Sequence, residues 1–342
     1  MRDNKIVLGF IGNGKSTNRY HAPFVLQRPD KFIIKKIYNR HIEHDVWKAI
    51  PGVAYTTELN DLLQDDEIDL IVINTPHHFH YDYAKMILNA NKHCLCEKPF
   101  MENTKQAQEI FALAKEKGLY CSAYQNRRYD SDFLTVQKVI ESGKLGDLLE
   151  LEMHFDYYRP EIPESVQQFD PAMSYLYGHG CHTLDQVISY FGKPDSIHYD
   201  VRQLLGEGRM NDYFDLDLYY GFFKVSVKSS YFRVKSRPSF IIYGKKGMFV
   251  KEKKDKQEEH LKLFYMPDHA DFGKDLPADY GTLTYYDENG YHEEKVVSVD
   301  GDYGRVYDDI YECIVNHQKQ VIEPWQTLLQ MEILEKGVSH LK

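Results

Sequence analysis

From Ile6 to Tyr124 short apolar runs alternate with segments whose apolar residues recur at helical spacing, and this alternation constrains the fold more than any other feature. The runs Ile6–Ile11, Phe32–Tyr38, Leu70–Asn74, His93–Cys96 and Tyr120–Tyr124 read as strands. The first, third and fourth are almost continuously apolar, as strands covered on both faces must be. Helical spacing fills the intervals at about Tyr20–Gln27, Asn60–Leu63, Tyr81–Asn89 and Thr104–Lys117. Repeated strand–helix–strand units predict a parallel sheet with right-handed crossovers.

The texture changes after Tyr124. A helix is expected at Ser131–Glu141, closed by Ser142-Gly143. Period-2 stretches follow at Leu148–Phe155, Ile197–Leu204, Tyr213–Tyr220, Val225–Phe232 and Phe240–Tyr243. Such alternation predicts a mostly antiparallel sheet with one face packed and one open. Lys251–His260 reads as a charged, loop-like stretch, and helices at Arg305–Asn316 and Gln326–Leu341 close the chain. The fold class is therefore α/β, with a parallel-sheet domain over 1–124 and a mixed α/β domain over 125–342. With 342 residues, both are long enough to bury a core. Tyr219, Tyr220, Phe222, Phe223 and the stretch Phe240 to Tyr243 suggest an aromatic-rich open face. Such a face predicts a homodimer or homotetramer built through the sheet about a two-fold axis.

Charge narrows the partners. Acidic residues outnumber basic ones by 52 to 42, a net charge of −10, which argues against nucleic acid and anionic membranes as partners. Ile6–Ile11 is too short for a signal-peptide core or a membrane span. The five cysteines are scattered, and Cys94 and Cys96 lack a zinc or redox spacing. The reading is of a reduced, cytoplasmic protein without structural disulfides.

The first run leads into Gly9-Phe10-Ile11-Gly12-Asn13-Gly14-Lys15-Ser16-Thr17. Gly12 and Gly14 allow a tight turn and the close approach of a pyrophosphate. Lys15, Ser16 and Thr17 then open a helix whose free N–H groups face the anion. Thr17 replaces the third glycine of the usual dinucleotide fingerprint. The second run ends Tyr38-Asn39-Arg40. An acidic residue here would bind the adenosine ribose and repel a 2′-phosphate, whereas arginine pairs with that phosphate. Asn39 and Arg40 thus favour NADP, with NAD as the alternative.

Two sharper motifs stand where apolar strands end: Thr75-Pro76-His77-His78-Phe79-His80 and Glu97-Lys98-Pro99. Three histidines in four residues suggest a metal, but no second cluster is spaced to complete a site, and none is expected. With these motifs the chain resembles, over essentially its whole length, the glucose–fructose oxidoreductase / inositol dehydrogenase (Gfo/Idh/MocA) family. The segments Tyr124–Phe133, Arg159-Pro160-Glu161 and Gly180–Gln186 are similar to its scyllo-inositol-dehydrogenase-like branch. The resemblance implies a Rossmann domain followed by a mixed α/β domain on an open sheet. It places Thr75, Pro76, His77, His80, Glu97, Lys98 and Asn126 at the cofactor. It also implies that Lys98 contacts both nicotinamide ribose and substrate, and that His182 is catalytic or orients the substrate. Asp185, at i+3 from His182, would fix the imidazole tautomer or touch substrate.

Many family members carry aspartate or tyrosine four residues before that histidine; here the position is Gly178, beside Tyr177 and His179. Either neighbour could supply the missing group, or Lys98 and His182 could suffice. The polar tips of Tyr157, Tyr158, Arg159 and Tyr177 suit a polyol. The function implied is an NAD(P)-dependent oxidoreductase moving hydride between a nicotinamide and a sugar or cyclitol. Two alternatives share the fold: a non-enzymatic cofactor-binding regulator, which would need neither Lys98 nor His182, and an NAD-dependent glycosidase, which would retain its cofactor tightly.

Overall fold

The computed structural model describes residues 4–41, 46–161 and 169–341. The chain divides into two units, each built on its own sheet. The first runs through Asn126 and adds Glu259–Phe272 and Tyr303–Met331. The second takes Arg127–Glu258, Gly273–Asp302 and the segment from Glu332 onward.

In the first unit, β1 (Ile6–Ile11), β2 (Phe32–Tyr38), β3 (Ala54–Thr56), β4 (Leu70–Ile73), β5 (His93–Cys96) and β6 (Cys121–Ala123) form one sheet. Its order is β3-β2-β1-β4-β5-β6, and every pairing is parallel. Helices α1 (Ala22–Leu26), α2 (Asn60–Leu63), α3 (His80–Asn89) and α4 (Thr104–Lys117) connect the strands. All residues of β1 and β4 are buried, as their unbroken apolar runs require. The strand order reverses between β1 and β4, which opens a crevice beyond their C-terminal ends. A π-helical turn, Ser16–His21, precedes α1, so the helical stretch starts before the expected Tyr20. β3 is not evident in the sequence because it is three half-exposed or exposed edge residues without an apolar run.

The two later segments join this unit through apolar and ionic contacts. Phe24 of α1 packs with Leu261, Phe272 and Tyr303 in a buried cluster. Helix α8 (Arg305–Ile314) is held by Asp308, which accepts from Arg28 Nη2 at 2.8 Å and Lys31 Nζ at 2.7 Å. Nothing local at position 308 announces partners some 280 residues away.

The second unit is built on β7 (Leu148–His154), β8 (Ser196–Arg202), β9 (Tyr213–Tyr220), β10 (Phe223–Ser230), β11 (Phe240–Gly244), β12 (Gly247–Lys251), β13 (Gly281–Asp287) and β14 (Gly290–Val296). The order is β14-β13-β12-β11-β7-β10-β9-β8, antiparallel except for β7 with β10. Leu151, Met153, Leu216, Leu218, Val225, Val227, Ile242 and Phe249 form a buried face. Helices α5 (Ser131–Glu141) and α6 (Cys181–Phe191) lie in this unit, and Phe133 of α5 stacks on Phe240. The remaining helices are α7 (Gln257–Lys262) and α9 (Pro324–Val338).

Three expectations need correction here. Only part of the expected aromatic set lies on the second sheet face, where register puts Tyr219 and Tyr243. Neighbouring residues point to opposite faces, so adjacent aromatics cannot share one. Phe240 is buried, Tyr220 and Phe223 pack on Phe191, and Phe222 is fully exposed in a turn. The same face carries cross-strand ion pairs: Lys224 with Glu150 at 2.7 Å and Lys228 with Asp215 at 3.5 Å. Next, β12, β13 and β14 extend the sheet beyond the expected strands, although Asn289-Gly290 is a hairpin signal, with Gly290 at φ 107°. Finally, Lys251–His260 is not a solvated loop. Lys251 is buried and donates to Asp275 Oδ2 at 2.7 Å, and Asp255 caps the start of α5 by accepting from Ser131 N at 2.7 Å.

Candidate active site

The loop after β1 is fixed by sterics. Gly12 has φ +103°, and a Cβ there would lie 2.6 Å from the Asn74 carbonyl oxygen, so only glycine fits. At Gly14 a Cβ would meet nothing within 4 Å, leaving the backbone open to approach. Lys15 is exposed and Ser16 half-buried at the head of the helical stretch. Thr17 is fully buried: its hydroxyl donates to Gly12 O at 2.6 Å and accepts from Asn74 Nδ2 at 2.8 Å. Its hydroxyl therefore straps the loop together. Asn74 Oδ1 and Thr75 Oγ1, just past β4, are buried without a hydrogen-bond partner among the described residues. Orphaned polar atoms at a strand-order switch point fit a dinucleotide that would satisfy them.

At the end of β2, Asn39 Nδ2 donates to His41 O at 3.3 Å and closes a turn, while Arg40 is exposed. Burial and the Tyr38 hydroxyl raise the Tyr83 phenol, and the nearby positive charge of Arg40 opposes them. Pro76 is exposed and His77 half-buried at the start of a short 3-10 turn. His80 is buried, with Nδ1 3.0 Å from Pro99 O and 3.2 Å from Phe100 O, and Nε2 3.0 Å from Thr75 O. Its ring thus staples two loops.

Beyond β5, Glu97 is buried and Lys98 half-buried. Glu97 Oε2 accepts the Lys98 backbone N–H at 3.0 Å, and Oε1 lies 3.2 Å from His21 Nε2. Burial raises the Glu97 carboxyl; the His21 hydrogen bond, the charges of His21 and Lys98 and the Lys98 N–H outweigh it and hold the group at about 2. Both carboxylate oxygens thus meet protein groups. Asn126 is buried at the head of a 3-10 turn, Asn126–Tyr129.

In the second unit a π-helical turn, Leu176–Gly180, leads into α6. His182 is buried in the first turn of α6. Asp185 is buried one turn later, and both its oxygens accept from Arg128 at 2.7 Å. It therefore anchors the segment after Asn126. Gln186 Nε2 donates to Arg127 O at 2.6 Å, so α6 and this segment are joined twice. Tyr177 is fully buried, and its hydroxyl has no partner among the described residues. Burial, with Glu335 and Asp170, pushes that phenol upward.

The chain beyond β7 stays extended, with Tyr157 N donating to Ser230 O and Arg159 N to Tyr231 O. Alternation separates its side chains. The Tyr157 ring lies 5.2 Å from the His179 ring, and the Arg159 guanidinium sits 4.4 Å over Tyr157. Tyr158 is largely exposed and bridges to Phe232, so it does not join them. Lys254 carries no signal in the sequence, because it hides in a run of charges. Its Nζ lies 3.9 Å from the Phe155 ring centroid and 4.8 Å from that of Tyr157. Burial, then the charge of Arg127, lower this ammonium to about 8. A small cleft beside it is lined by Asp130, Asp132, His154, Thr183 and Gln186. The first unit thus gathers a dinucleotide cradle and a lysine at the C-terminal ends of parallel strands, and the second gathers His182, Tyr177 and a cationic, aromatic wall.

Comparisons with known proteins agree with this layout. Residues 6–125 match a profile described as "Oxidoreductase family, NAD-binding Rossmann fold", and residues 133–250 match the GFO/IDH/MocA C-terminal domain. The chain is 43% identical to the uncharacterized oxidoreductase YhhX of Escherichia coli K12, over 96% of this chain and 94% of that one. It is 32% identical to the scyllo-inositol 2-dehydrogenase (NADP(+)) IolW of Bacillus subtilis, over 90% and 86%. A solved oxidoreductase from Bacillus cereus superimposes with a TM-score of 0.91 at 40% identity, covering 98% of this chain and 96% of that one. Among the described residues no helix is long and apolar enough to cross a membrane.

Proposed function

The chain belongs to the GFO/IDH/MocA oxidoreductase family and is a dehydrogenase, and on that premise we propose that it moves hydride between NADP(H) and a hydroxyl-bearing carbon of a sugar or cyclitol. One observation carries the reading: the glycine loop, the orphaned Asn74 and Thr75 atoms and Lys98 follow β1, β4 and β5 of one parallel sheet, all at C-terminal ends. Gly12, Gly14, Lys15 and Ser16 would hold the pyrophosphate, and Thr75, Pro76, His77 and Asn126 the remaining dinucleotide. Arg40, with Asn39, would take a 2′-phosphate, and the NADP(+) named for the IolW relative supports that choice. When bound, the cofactor supplies the hydride acceptor. Lys98 takes the proton of the substrate hydroxyl as the hydrogen on carbon leaves with its electron pair as hydride and a carbonyl forms. His182 orients the substrate or shares that proton. The buried, unpartnered Tyr177 hydroxyl supports a polar ligand in its vicinity. Tyr157 and Arg159 would flank it. A homodimer or homotetramer through the second sheet face belongs to the same reading; light scattering reads it.

The test is a panel of cyclitols and sugars with NAD and NADP, followed at the reduced-nicotinamide absorbance. Turnover of at least one polyol with exchangeable cofactor is expected. Cofactor that stays bound through purification, with no net reduction by any polyol, would overturn the reading in favour of the glycosidase alternative.

A further inference from the structure

Behind Lys98 runs a buried line of three side chains. The Tyr307 hydroxyl lies 2.6 Å from His21 Nδ1, His21 Nε2 lies 3.2 Å from Glu97 Oε1, and Glu97 Oε2 accepts the Lys98 N–H at 3.0 Å. His21 and Tyr307 have no exposed surface and Glu97 retains 8%. The ring of Tyr124 covers His21 at 3.9 Å. Proton directions follow from the ends. Glu97 stays ionised and can only accept, so His21 Nε2 carries the hydrogen. Nδ1 meets the Tyr307 hydroxyl, which burial keeps protonated and which can donate to the ring or accept from it. Every group in the line is thus partnered.

We propose that Tyr307, His21 and Glu97 form a positioning relay that holds a fixed negative charge beside the proton-transferring Lys98. The proposal rests on the reading of Lys98 given above. A buried carboxylate is a poor stabilising device on its own, since apolar replacements of buried ion pairs are often as stable. Here one carboxylate oxygen grips the backbone of the residue whose amine takes the proton. That same charge interacts with the Lys98 side chain. It favours the ammonium that Lys98 becomes when the substrate hydroxyl gives up its proton. The other groups that feel Glu97 are His80 and Cys96, while Arg28 acts on Tyr307 and is itself tied to Asp308. His80 braces the far side through Pro99 and Phe100, so the strand end is gripped on both flanks.

The relay also gives helix α8 a role at the site, because Tyr307 comes from it. The test uses Glu97→Gln, His21→Gln and Tyr307→Phe in the full chain, with a polyol the wild type oxidises. Each variant should fold, judged by circular dichroism, and titrate NADP within about 3-fold of wild type. Turnover should fall by about 10-fold or more in Glu97→Gln. The decisive readout is the pH profile. Loss of the negative charge disfavours the ammonium, so the rise of oxidation rate with pH should move to lower pH, by about 1 unit in Glu97→Gln. Tyr307→Phe, which removes only a hydroxyl, should shift it the same way by less. Unshifted profiles in the folded variants overturn the relay even if turnover drops, since a structural role would lower rate without moving the profile. If Lys98→Met itself retains turnover, the reading of Lys98 has failed instead, and the two failures are distinguishable.

Discussion

Arg128 and Asp185 meet through two 2.7 Å hydrogen bonds in a setting from which water is excluded. Arg128 lies just past the first unit, and Asp185 is one turn beyond His182 on α6. Burial raises the Asp185 carboxyl and Arg128 opposes it. Removing one partner strands the other's charge, which typically costs about 3–5 kcal/mol. Asp185→Leu and Arg128→Met should each lower the thermal midpoint markedly. The double variant should recover much of the loss, because no charge is then left buried. A double variant as unstable as the sum of the singles would refute this account.

How much of the molecule is legible in its sequence depends on the range of the interaction. Runs such as Ile6–Ile11 and Leu70–Asn74 announce the parallel sheet because burial on both faces leaves a continuous apolar signature. Gly12 is readable because one steric requirement admits one residue. Thr17 is not, because its hydroxyl is consumed by Gly12 and by Asn74, a partner 57 residues away. The partners of His80 and Glu97 are hidden for a similar reason: the motifs are local, but Pro99 and His21 lie 19 and 76 residues away. Lys254 and Asp255 are hidden because a charged run reads as solvated, and only the fold brings aromatic rings and α5 over it. Tyr157 and Tyr158 look equivalent until alternation puts them on opposite sides.

The proposed role of Arg40 predicts the cofactor choice. A charge-assisted contact with a 2′-phosphate is worth about 1.5–3 kcal/mol, or roughly 10- to 150-fold in affinity. NADP should therefore bind more tightly than NAD, and Arg40→Ala should erase most of the difference. Calorimetric titration of both cofactors checks it. Equal or tighter binding of NAD by the wild type contradicts the assignment.

Lys98→Met keeps the stem volume and removes the amine; His182→Ala removes the imidazole. Both variants should fold and bind cofactor, yet lose at least about 10²-fold in turnover. Single-turnover measurements on an identified polyol separate this from slow product release. Wild-type turnover in Lys98→Met would refute the mechanism, whereas wild-type turnover in His182→Ala alone would move the proton route onto Lys98 and Tyr177.

Asp132 should make stability fall as pH rises from about 4 to about 7, a trend opposed by His80, His93 and His154, whose imidazoles burial lowers. Burial, then the charge of Asp255, push its carboxyl from 3.8 up to about 7, against Lys251, the Phe133 N–H and Arg127. A carboxyl raised in the folded state is protonated there while the unfolded chain has already ionised, so rising pH favours unfolding until both forms are ionised. Asp255 and Asp185 act in the same direction. Asp132→Asn should remove the downward contribution of Asp132 to the pH dependence of the thermal midpoint over that window. An unchanged slope would show that Asp132 ionises normally in the folded chain.

Gly178 occupies the place where the family resemblance expects an acid or a tyrosine, and nothing about its backbone demands glycine. Its φ is not in the left-handed region, its N–H donates to Ser174 O at 2.9 Å, and a Cβ would meet no atom within 4 Å. A glycine in helical geometry with room for a side chain weakens the fold through the freedom it gives the unfolded chain. Gly178→Ala should stabilise by about 0.4–1 kcal/mol, and turnover should stay within about 2-fold, since no side chain acts there now. Gly178→Asp should also be accommodated. It would set a carboxylate one helical turn before His182, where i and i+4 residues are neighbours. Oxidation should then quicken, and the gain should vanish in the Gly178→Asp/His182→Ala double variant. Thermal melts and steady-state rates on one polyol decide it. A lower midpoint for Gly178→Ala would mean the space is not open, and a gain in Gly178→Asp that survives loss of His182 would mean the new carboxylate works through another group.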